Sequence, residues 1–288
     1  MGGHLEEGRA QSGKLNSGEK EGGNLGEMAN IIYEKRDRIA YVTLNRPGHL
    51  NALDDATNAE LQEIWSDFAA TDEIDVAILT GAGRAFCAGA DLKAFIPKWE
   101  HATMLDVRHN MSMGIGGGLT RGQHRIYKPI VAAINGYAIG GGFELALACD
   151  IRIASESAKF GVFEVRHGLH QGDGGLVRLV AIAGIGVALD LTLTGRELSA
   201  QEAKELRLVS RVVPAEGLIA AAEETARKII ANSQNAVQSA KETVLELIGR
   251  SLDDGLRLET LYGYSILGDF SDARSRLAQF HDKDGKKG

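Results

Sequence analysis

The stretch KPIVAAINGYAIGGGFELALACDIRIAS, Lys128–Ser155, indicates the fold of this chain. Within it, Pro129–Asn135 is a short apolar run, typical of a strand buried on both faces of its sheet, and Asp150–Ser155 predicts a second strand. Between them, the glycine-rich turn Ile139–Glu144 opens a helix with the sequence FELALACD. The stretch therefore predicts a strand–turn–helix–strand unit of an α/β fold.

The sequence on either side continues this alternation. Three further strands are predicted at Ile31–Lys35, Ile39–Leu44 and Val76–Thr80. Apolar residues recur at i, i+3, i+4 and i+7 in Leu61, Ile64, Trp65 and Phe68, which predicts an amphipathic helix. After about Gly186 the pattern predicts helices almost throughout, at Leu198–Leu206, Leu218–Ala231, Ala236–Ile248, Leu252–Leu267 and Ser271–Phe280. The expected architecture is an α/β core followed by a helical region.

The first 27 residues have a different composition from the rest. They are rich in Gly, Glu, Ser and Lys and contain few apolar side chains. Because such a segment buries too little to offset the entropy of ordering, residues 1–27 are expected to be disordered. They lack the apolar core of a secretory signal, and their glutamates do not suit a mitochondrial presequence. The natural protein could start at Met28, in which case residues 1–27 are an upstream extension. The sequence does not decide whether these residues are native.

Composition excludes several classes of protein. The net charge of -7, with both signs interspersed, argues against a nucleic-acid-binding protein, which usually carries a concentrated basic face. The only cysteines are Cys87 and Cys149, so no disulfide framework is implied and a reducing, cytoplasmic location is expected. No apolar run is long enough to span a bilayer, so the sequence predicts a soluble protein without a membrane partner.

Two glycine-rich turns invite comparison with nucleotide-binding motifs, and neither fits. Gly81–Phe86 places Phe86 where a dinucleotide fingerprint needs a third small residue. The turn Ile139–Glu144 lacks the Gly-Lys-Ser/Thr that would hold phosphates and magnesium. Both turns nevertheless let a ligand approach bare backbone N–H groups, and the second opens a helix whose first turn stabilises a developing negative charge.

Two glutamates are candidate catalytic groups. Glu144 lies among apolar neighbours in the first turn of its helix, where spacing alone fits a favourable helix-start acid equally well. The apolar neighbours predict partial desolvation, which raises the pKa of a carboxyl group toward the range useful for acid–base catalysis. Glu164 lies in a glycine-punctuated loop and by itself is unremarkable.

Five segments together carry a family resemblance. In chain order they are NRPGHLNAL (Asn45–Leu53), GAGRAFCAGADLK (Gly81–Lys93), the stretch Lys128–Ser155, KFGVFEVRHGL followed by GDGG, and LTGRELSAQEAKELRLVSRVV (Leu193–Val213). They resemble the successive signatures of the crotonase (enoyl-CoA hydratase/isomerase) family. Each motif alone is weak, but all of them in order, at family-like spacing, make a strong signal.

The resemblance implies an architecture and an assembly. The fold would be a spiral of ββα units over residues 28–213, followed by a helical region at 214–288 that packs between subunits. A homotrimer or a dimer of trimers is expected. Apolar residues on the predicted helices, such as Leu252, Leu256, Leu261 and Ile266, fit this expectation because a small core does not bury them alone.

The resemblance also implies the chemistry. The backbone N–H groups of Ala90 and Gly141 would form an oxyanion hole for the carbonyl of an acyl-CoA thioester. Glu144 would deprotonate the water that attacks Cβ, and Glu164 would protonate Cα. Further contacts with the substrate are expected at Gly48, His49, Leu50, Ala88, Asp91, Leu92, Lys93, Gly140, Gly172 and Asp173. No metal and no cofactor is expected, since coenzyme A is part of the substrate. The leading function is 2-enoyl-CoA hydration, and the alternative is a double-bond isomerase, C–C hydrolase or lyase acting on an acyl-CoA.

The segment Gly168–Gly175 departs from the family pattern. Gln171 replaces a proline, and His170 and Asp173 add polar groups near the expected acyl pocket. For Asp173 the favoured interpretation is a helix N-cap, and the alternative is a group that selects an oxygenated or cyclic acyl chain. His167 and His170 have no third ligand at a recognised spacing, so a metal site is not expected.

Overall fold

The computed structural model describes residues 29–110, 114–122, 126–268 and 270–284, and the prediction for residues 1–27 lies outside these ranges. The strands are β1 (Ile31–Arg36), β2 (Ile39–Leu44), β3 (Val76–Gly81), β4 (Ala85–Cys87), β5 (Ile130–Ile134), β6 (Tyr137–Ile139), β7 (Ile151–Ser155), β8 (Lys159–Gly161), β9 (Glu197–Ser199) and β10 (Arg211–Val213). The helices are α1 (Asp55–Ala70), α2 (Leu92–Glu100), α3 (Met104–Asn110), α4 (Gly141–Ala148), α5 (Gly175–Ala183), α6 (Ile185–Thr194), α7 (Ala200–Glu205), α8 (Leu218–Ile230), α9 (Gln234–Glu246), α10 (Leu252–Ser265) and α11 (Ser271–Asp284).

The strands form two sheets. The larger has the order β1-β2-β3-β5-β7-β10, in which β1 is antiparallel to β2 and the remaining neighbours are parallel. The smaller has the order β4-β6-β8-β9, in which only β9 is antiparallel to its neighbour. Successive strand pairs β3–β4, β5–β6 and β7–β8 each place one strand in each sheet before the chain enters a helix. This arrangement confirms the predicted spiral of ββα units.

The helix predicted at Leu198–Leu206 starts too early. Leu198 belongs to β9, where it pairs with Phe160 of β8, and the helix predicted from Leu198 begins only at Ala200 as α7. Ser199 caps α7 through a capping box with Glu202, which fixes the strand-to-helix transition. β10 lies between two predicted helices, where no strand was predicted. Both strands are three residues long, too short for a periodic sequence signal, and neighbouring strands hold them in place.

The core lies between the sheets and the helices that cover them. The predicted stripe on α1 is buried, and Asp54 caps this helix by accepting a hydrogen bond from the Thr57 N–H. Phe143 of α4 packs on Phe160 of β8, with ring centroids 5.3 Å apart. On the other face of the large sheet, α8 buries Leu218, Ala222 and neighbouring side chains against β3, β5 and β7. α4 therefore begins at the edge of the core, directly after β6, and buries Phe143 and Glu144 in its first turn.

The helices after α8 expose several large apolar side chains. Leu252 is 78% exposed and Leu261 is 64% exposed. Lys241 of α9 joins this region to the core by donating hydrogen bonds to the Asp150 carboxylate and the Lys128 carbonyl. Within the described ranges, none of the helices is both long and apolar enough to cross a membrane.

Candidate active site

A cleft of about 650 Å³ lies beside the first turn of α4. Ten of the fourteen residues predicted to form the site line it: Ala88, Ala90, Asp91, Leu92, Gly140, Gly141, Glu144, Glu164, Gly172 and Asp173. Gly48, His49, Leu50 and Lys93 are not part of its lining. The Leu50 carbonyl accepts a hydrogen bond from Ala88, so this neighbouring loop supports the cleft wall from behind.

The backbone N–H groups of Ala90 and Gly141 lie close together at the junction between β6 and α4. A Cβ added at Gly141 would lie 3.4 Å from the Ala90 nitrogen, and one added at Gly89 would lie 2.8 Å from the Gly141 nitrogen. Among the described residues neither Ala90 nor Gly141 donates its backbone N–H to a hydrogen bond. Gly140 makes the turn with φ 55° and ψ −127°, a conformation essentially restricted to glycine. The pair can therefore donate to a single ligand oxygen.

Glu144 is buried at the side of this turn. Its side chain lies in the first turn of α4, and the residue is 3% exposed. The Oε1 atom accepts hydrogen bonds from the Asp173 N–H at 2.8 Å and the Gly175 N–H at 3.0 Å. Burial raises the pKa of Glu144 to about 7, with the negative charges of Asp173 and Glu164 adding to the rise and the two N–H donors opposing it. The predicted desolvation of Glu144 is confirmed.

Glu164 approaches the same turn from the opposite segment. It begins a one-turn 3-10 helix, Glu164–His167, and its Oε1 lies 3.0 Å from the position that a Cβ on Gly140 would occupy. Burial raises the pKa of the Glu164 carboxyl, and the Gln171 amide and nearby histidines partly offset this effect. The Oε2 atom is buried and has no hydrogen-bond partner in the described part of the chain. A second carboxyl group with a raised pKa thus faces the cleft.

The sequence model of the enoyl-CoA hydratase/isomerase family matches residues 34–267. This range contains both carboxyl groups and both free N–H donors. The chain belongs to the enoyl-CoA hydratase/isomerase family. The resemblance found in the sequence motifs is therefore confirmed.

Named relatives and solved structures of this family cover most of the chain. A probable mitochondrial enoyl-CoA hydratase of Dictyostelium discoideum is 42% identical over 235 residues, which is 82% of each chain. The (E)-benzylidenesuccinyl-CoA hydratase of Thauera aromatica is 38% identical over 251 residues, or 87% of this chain and 94% of its own. The crystal structure of an enoyl-CoA hydratase from Bacillus anthracis has a TM-score of 0.79 at 39% identity, and the match covers 88% of this chain and 96% of that one.

The N-cap interpretation of Asp173 is wrong. Gly174, with φ 89°, occupies the N-cap position of α5 and has no side chain to cap it, and the Gly175 N–H at the start of α5 donates instead to Glu144. The Asp173 carboxylate instead forms an ion pair with Arg121, with Nε and Oδ1 3.1 Å apart. Asp173 lies one residue before the N-cap, and its carboxylate pairs with Arg121 rather than with the first N–H groups of α5. Asp173 is therefore part of the cleft wall of this family member, beside Glu144.

Sequence reasoning missed two arginines at the site. Arg121 follows the glycine-rich run Gly114–Gly118, and Arg178 lies on α5; both donate hydrogen bonds to main-chain carbonyls around the cleft. Neither belongs to a motif. Arg121 bonds to Gly172 and Arg178 to Thr120, each more than fifty residues away in sequence, and the longer contact of Arg178 with the Asp173 carbonyl is the local one. His167 and His170 do line the cleft. In the described residues no cluster of three potential ligands that could hold a metal ion is present.

Proposed function

We propose that this protein is an enoyl-CoA hydratase, which adds water across the 2,3 double bond of a 2-enoyl-CoA thioester. The observation that carries the proposal is the placement of two buried carboxyl groups, Glu144 and Glu164, around a turn with two free N–H donors. Hydration requires a base for the water, an acid for Cα and a site for the negative charge on the thioester oxygen. The cleft contains a group for each requirement.

The thioester carbonyl oxygen accepts hydrogen bonds from the N–H groups of Ala90 and Gly141. As the water oxygen bonds to Cβ, the π electrons move toward the carbonyl and negative charge develops on this oxygen. The position at the start of α4 adds the positive end of the helix dipole. In comparable sites one such donor lowers the barrier by about 2.7–4 kcal/mol.

The two carboxyl groups hold one proton between them in the active form. Glu144 accepts a proton from the attacking water, and Glu164 donates its proton to Cα as the carbonyl is restored, so the pair ends with the same number of protons. Because the groups interact, they titrate as a pair. When both carboxyl groups are protonated no base remains, and when both are ionised no acid remains. A plot of kcat/KM against pH therefore falls on both sides, with an acid limb and an alkaline limb. The alkaline limb follows loss of the last proton of the pair, and burial of both carboxyl groups moves it to higher pH.

Coenzyme A is substrate in this proposal, and no further cofactor takes part. Its adenosine-diphosphate portion lies along Ala88–Leu92, with Lys93 and the supporting loop Gly48–Leu50 nearby. The exposed apolar side chains of α10 are covered by other copies of the chain in a trimer or a dimer of trimers. The cytoplasm is the proposed location, which agrees with the two unpaired cysteines. Light scattering at micromolar concentration that gives the mass of a monomer would exclude the assembly.

The test is turnover of a panel of 2-enoyl-CoA thioesters with short, long and aromatic acyl groups. Hydration is followed as loss of the ultraviolet absorbance of the conjugated thioester, and the 3-hydroxyacyl product is identified by mass. We expect saturable hydration of at least one member. Double-bond migration, hydrolysis or chain cleavage without any hydrated product would overturn the proposal in favour of another reaction of the family.

A further inference from the structure

Arg121 and Asp173 form an ion pair at the wall of the cleft, next to Glu144. Arg121 donates through Nε to the Asp173 carboxylate at 3.1 Å and through Nη2 to the Gly172 carbonyl at 2.5 Å. The backbone N–H of the same Asp173 donates to Glu144 at 2.8 Å. Arg121 therefore holds the peptide group that in turn holds Glu144.

A second arginine, Arg178, contacts the same turn, Gly172–Gly175. Arg178 of α5 donates through Nη2 to the Thr120 carbonyl at 2.7 Å and through Nη1 to the Asp173 carbonyl at 3.4 Å. The two arginines thus link the segment that ends at Arg121 to the turn Gly172–Gly175. Because Arg178 remains when Arg121 is replaced, the turn Gly172–Gly175 keeps its contacts with Arg178 in that variant.

The local sequence makes room for this pair. A Cβ added at Gly114 would lie 2.6 Å from Cγ of Arg121, so the glycine lets the arginine side chain cross the main chain. The side chains of Arg121 and Asp173 are 30% and 24% exposed, and both residues line the cleft.

The pair also acts on the charge of Glu144. The negative charge of Asp173 raises the pKa of Glu144, after the larger effect of burial. The positive charge of Arg121 compensates that of Asp173. The other charged groups that face Glu144 are Glu164 and Arg178. Cys87 of β4, which packs against α4, is uncharged because burial raises the pKa of its thiol to about 12.

We propose that the Arg121–Asp173 ion pair fixes the position of Glu144 and sets its affinity for a proton, so that Arg121 and Asp173 are positioning residues for the reaction. This inference rests on the proposed hydratase function. It predicts that the two members of the pair act in opposite directions. Removing the charge of Asp173 favours the ionised form of Glu144. Removing Arg121 leaves the charge of Asp173 uncompensated, which disfavours the ionised form of Glu144.

The experiment is the pH profile of kcat/KM for the full-length protein and four variants, with the best substrate from the panel. Asp173→Asn keeps the backbone N–H and removes the charge, and Arg121→Gln removes the opposite charge. We expect the alkaline limb to move down with Asp173→Asn and up with Arg121→Gln, each by about half a pH unit, as for one charge near a partly solvated site. The double variant Arg121→Gln/Asp173→Asn returns the limb to the parent position.

Two controls complete the design. Arg121→Lys keeps the charge and retains the parent limb, with a reduced kcat because lysine lacks the forked donors. Glu224→Gln removes a carboxylate from an exposed ion pair with Lys228 on α8, away from the cleft, and leaves the profile unchanged.

Three results overturn the inference. The alkaline limb stays in place in the single variants, it moves in the same direction in both of them, or it does not return to the parent position in the double variant. A fall in kcat without a shift would show that the pair is only structural. A parent protein that hydrates none of the thioesters would instead overturn the proposed function, so the two failures are distinguishable.

Discussion

α4 and the segment Glu164–Gly175 each bring one carboxyl group into the cleft, and they hold it differently. Glu144 of α4 is surrounded by the core and accepts two backbone hydrogen bonds. Glu164 lies on a single 3-10 turn, and one of its oxygens is buried without a partner in the described structure. Burial raises the proton affinity of both groups. In the described structure, Glu144 accepts from main-chain N–H groups of a different segment, whereas the backbone donor to the Glu164 carboxyl is its own.

The largest effect is expected from replacing either carboxyl group. Glu144→Gln and Glu164→Gln should each lower kcat about 10²–10⁴-fold, the usual contribution of a positioned acid or base. Binding of coenzyme A should change little, because its affinity comes from other contacts. Steady-state kinetics with calorimetric titration of the product thioester measures both quantities.

Glu156→Gln, on the surface and outside the cleft lining, is the matched control and should retain parent activity. Near-normal hydration by one of the two cleft variants would remove its glutamate from the mechanism. If Glu144→Gln kept double-bond isomerisation, the single-carboxylate alternative would gain support.

The difference in burial predicts a difference in stability against pH. The pKa of Glu144 is raised from 4.5 to about 7 in the folded protein, so its contribution to stability is fully present below pH 4.5 and is lost as pH rises through 7. The loss amounts to about 3 kcal/mol. Glu144→Gln removes this dependence and should be more stable than the parent above pH 7 by up to that amount, while Glu164→Gln acts in the same direction.

Urea denaturation of parent and variant at pH 5 and pH 8, at one protein concentration, tests this prediction. The free energy of unfolding of the variant minus that of the parent should increase between the two pH values. An equal difference at both would mean that the ionised Glu144 carboxylate is fully compensated by its two N–H donors.

Gly140 offers a way to disturb the Glu164 side of the comparison. With φ 55° and ψ −127°, Gly140→Ala puts a Cβ into a conformation that costs about 1–3 kcal/mol. The new Cβ would also lie 3.0 Å from Oε1 of Glu164. We expect lower stability by thermal unfolding and a reduced kcat. Gly217→Ala, at φ −92° with nothing within 4 Å, is the control and should match the parent in both. Equal losses in the two variants would contradict the argument.

The sequence predicted the Glu144 side of the site better than the other side. The apolar residues beside Glu144 are its neighbours both in the chain and in space, so its burial could be foreseen. The contacts of Asp173 could not: its partner Arg121 lies 52 residues away, and the glycine that begins α5 follows it directly. A turn assembled from distant segments leaves no periodic signal.

The same reasoning applies to the fold. Strands of five or six residues, such as β3 and β5, were predicted within one or two residues of their bounds. β4, β6, β9 and β10 have three residues each, and pairing with neighbouring strands, rather than their own sequence, makes them strands. The sequence pattern therefore did not predict the second sheet.

Gln171 gives the smallest and most selective change on the Glu164 side. It replaces the family's usual proline and is 4% exposed, and its Nε2 donates to the Gly140 carbonyl at 3.4 Å. Burial raises the pKa of Glu164, and the Gln171 amide partly offsets this rise. Gln171→Met keeps the volume and removes the amide, so the limb of the pH profile governed by Glu164 should move to higher pH.

The accompanying loss in kcat should be about fivefold, as expected for one hydrogen bond worth about 1 kcal/mol. Stability should change little, because the Oε1 atom of Gln171 is itself buried without a partner in the described structure and its removal offsets the lost donor. Gln201→Met, at an exposed position on α7, serves as the control. If Gln171→Met kept the parent kinetics and the position of this limb, the main chain alone would set the pKa of Glu164. The two carboxyl groups would then be held in more similar ways than their surroundings indicate.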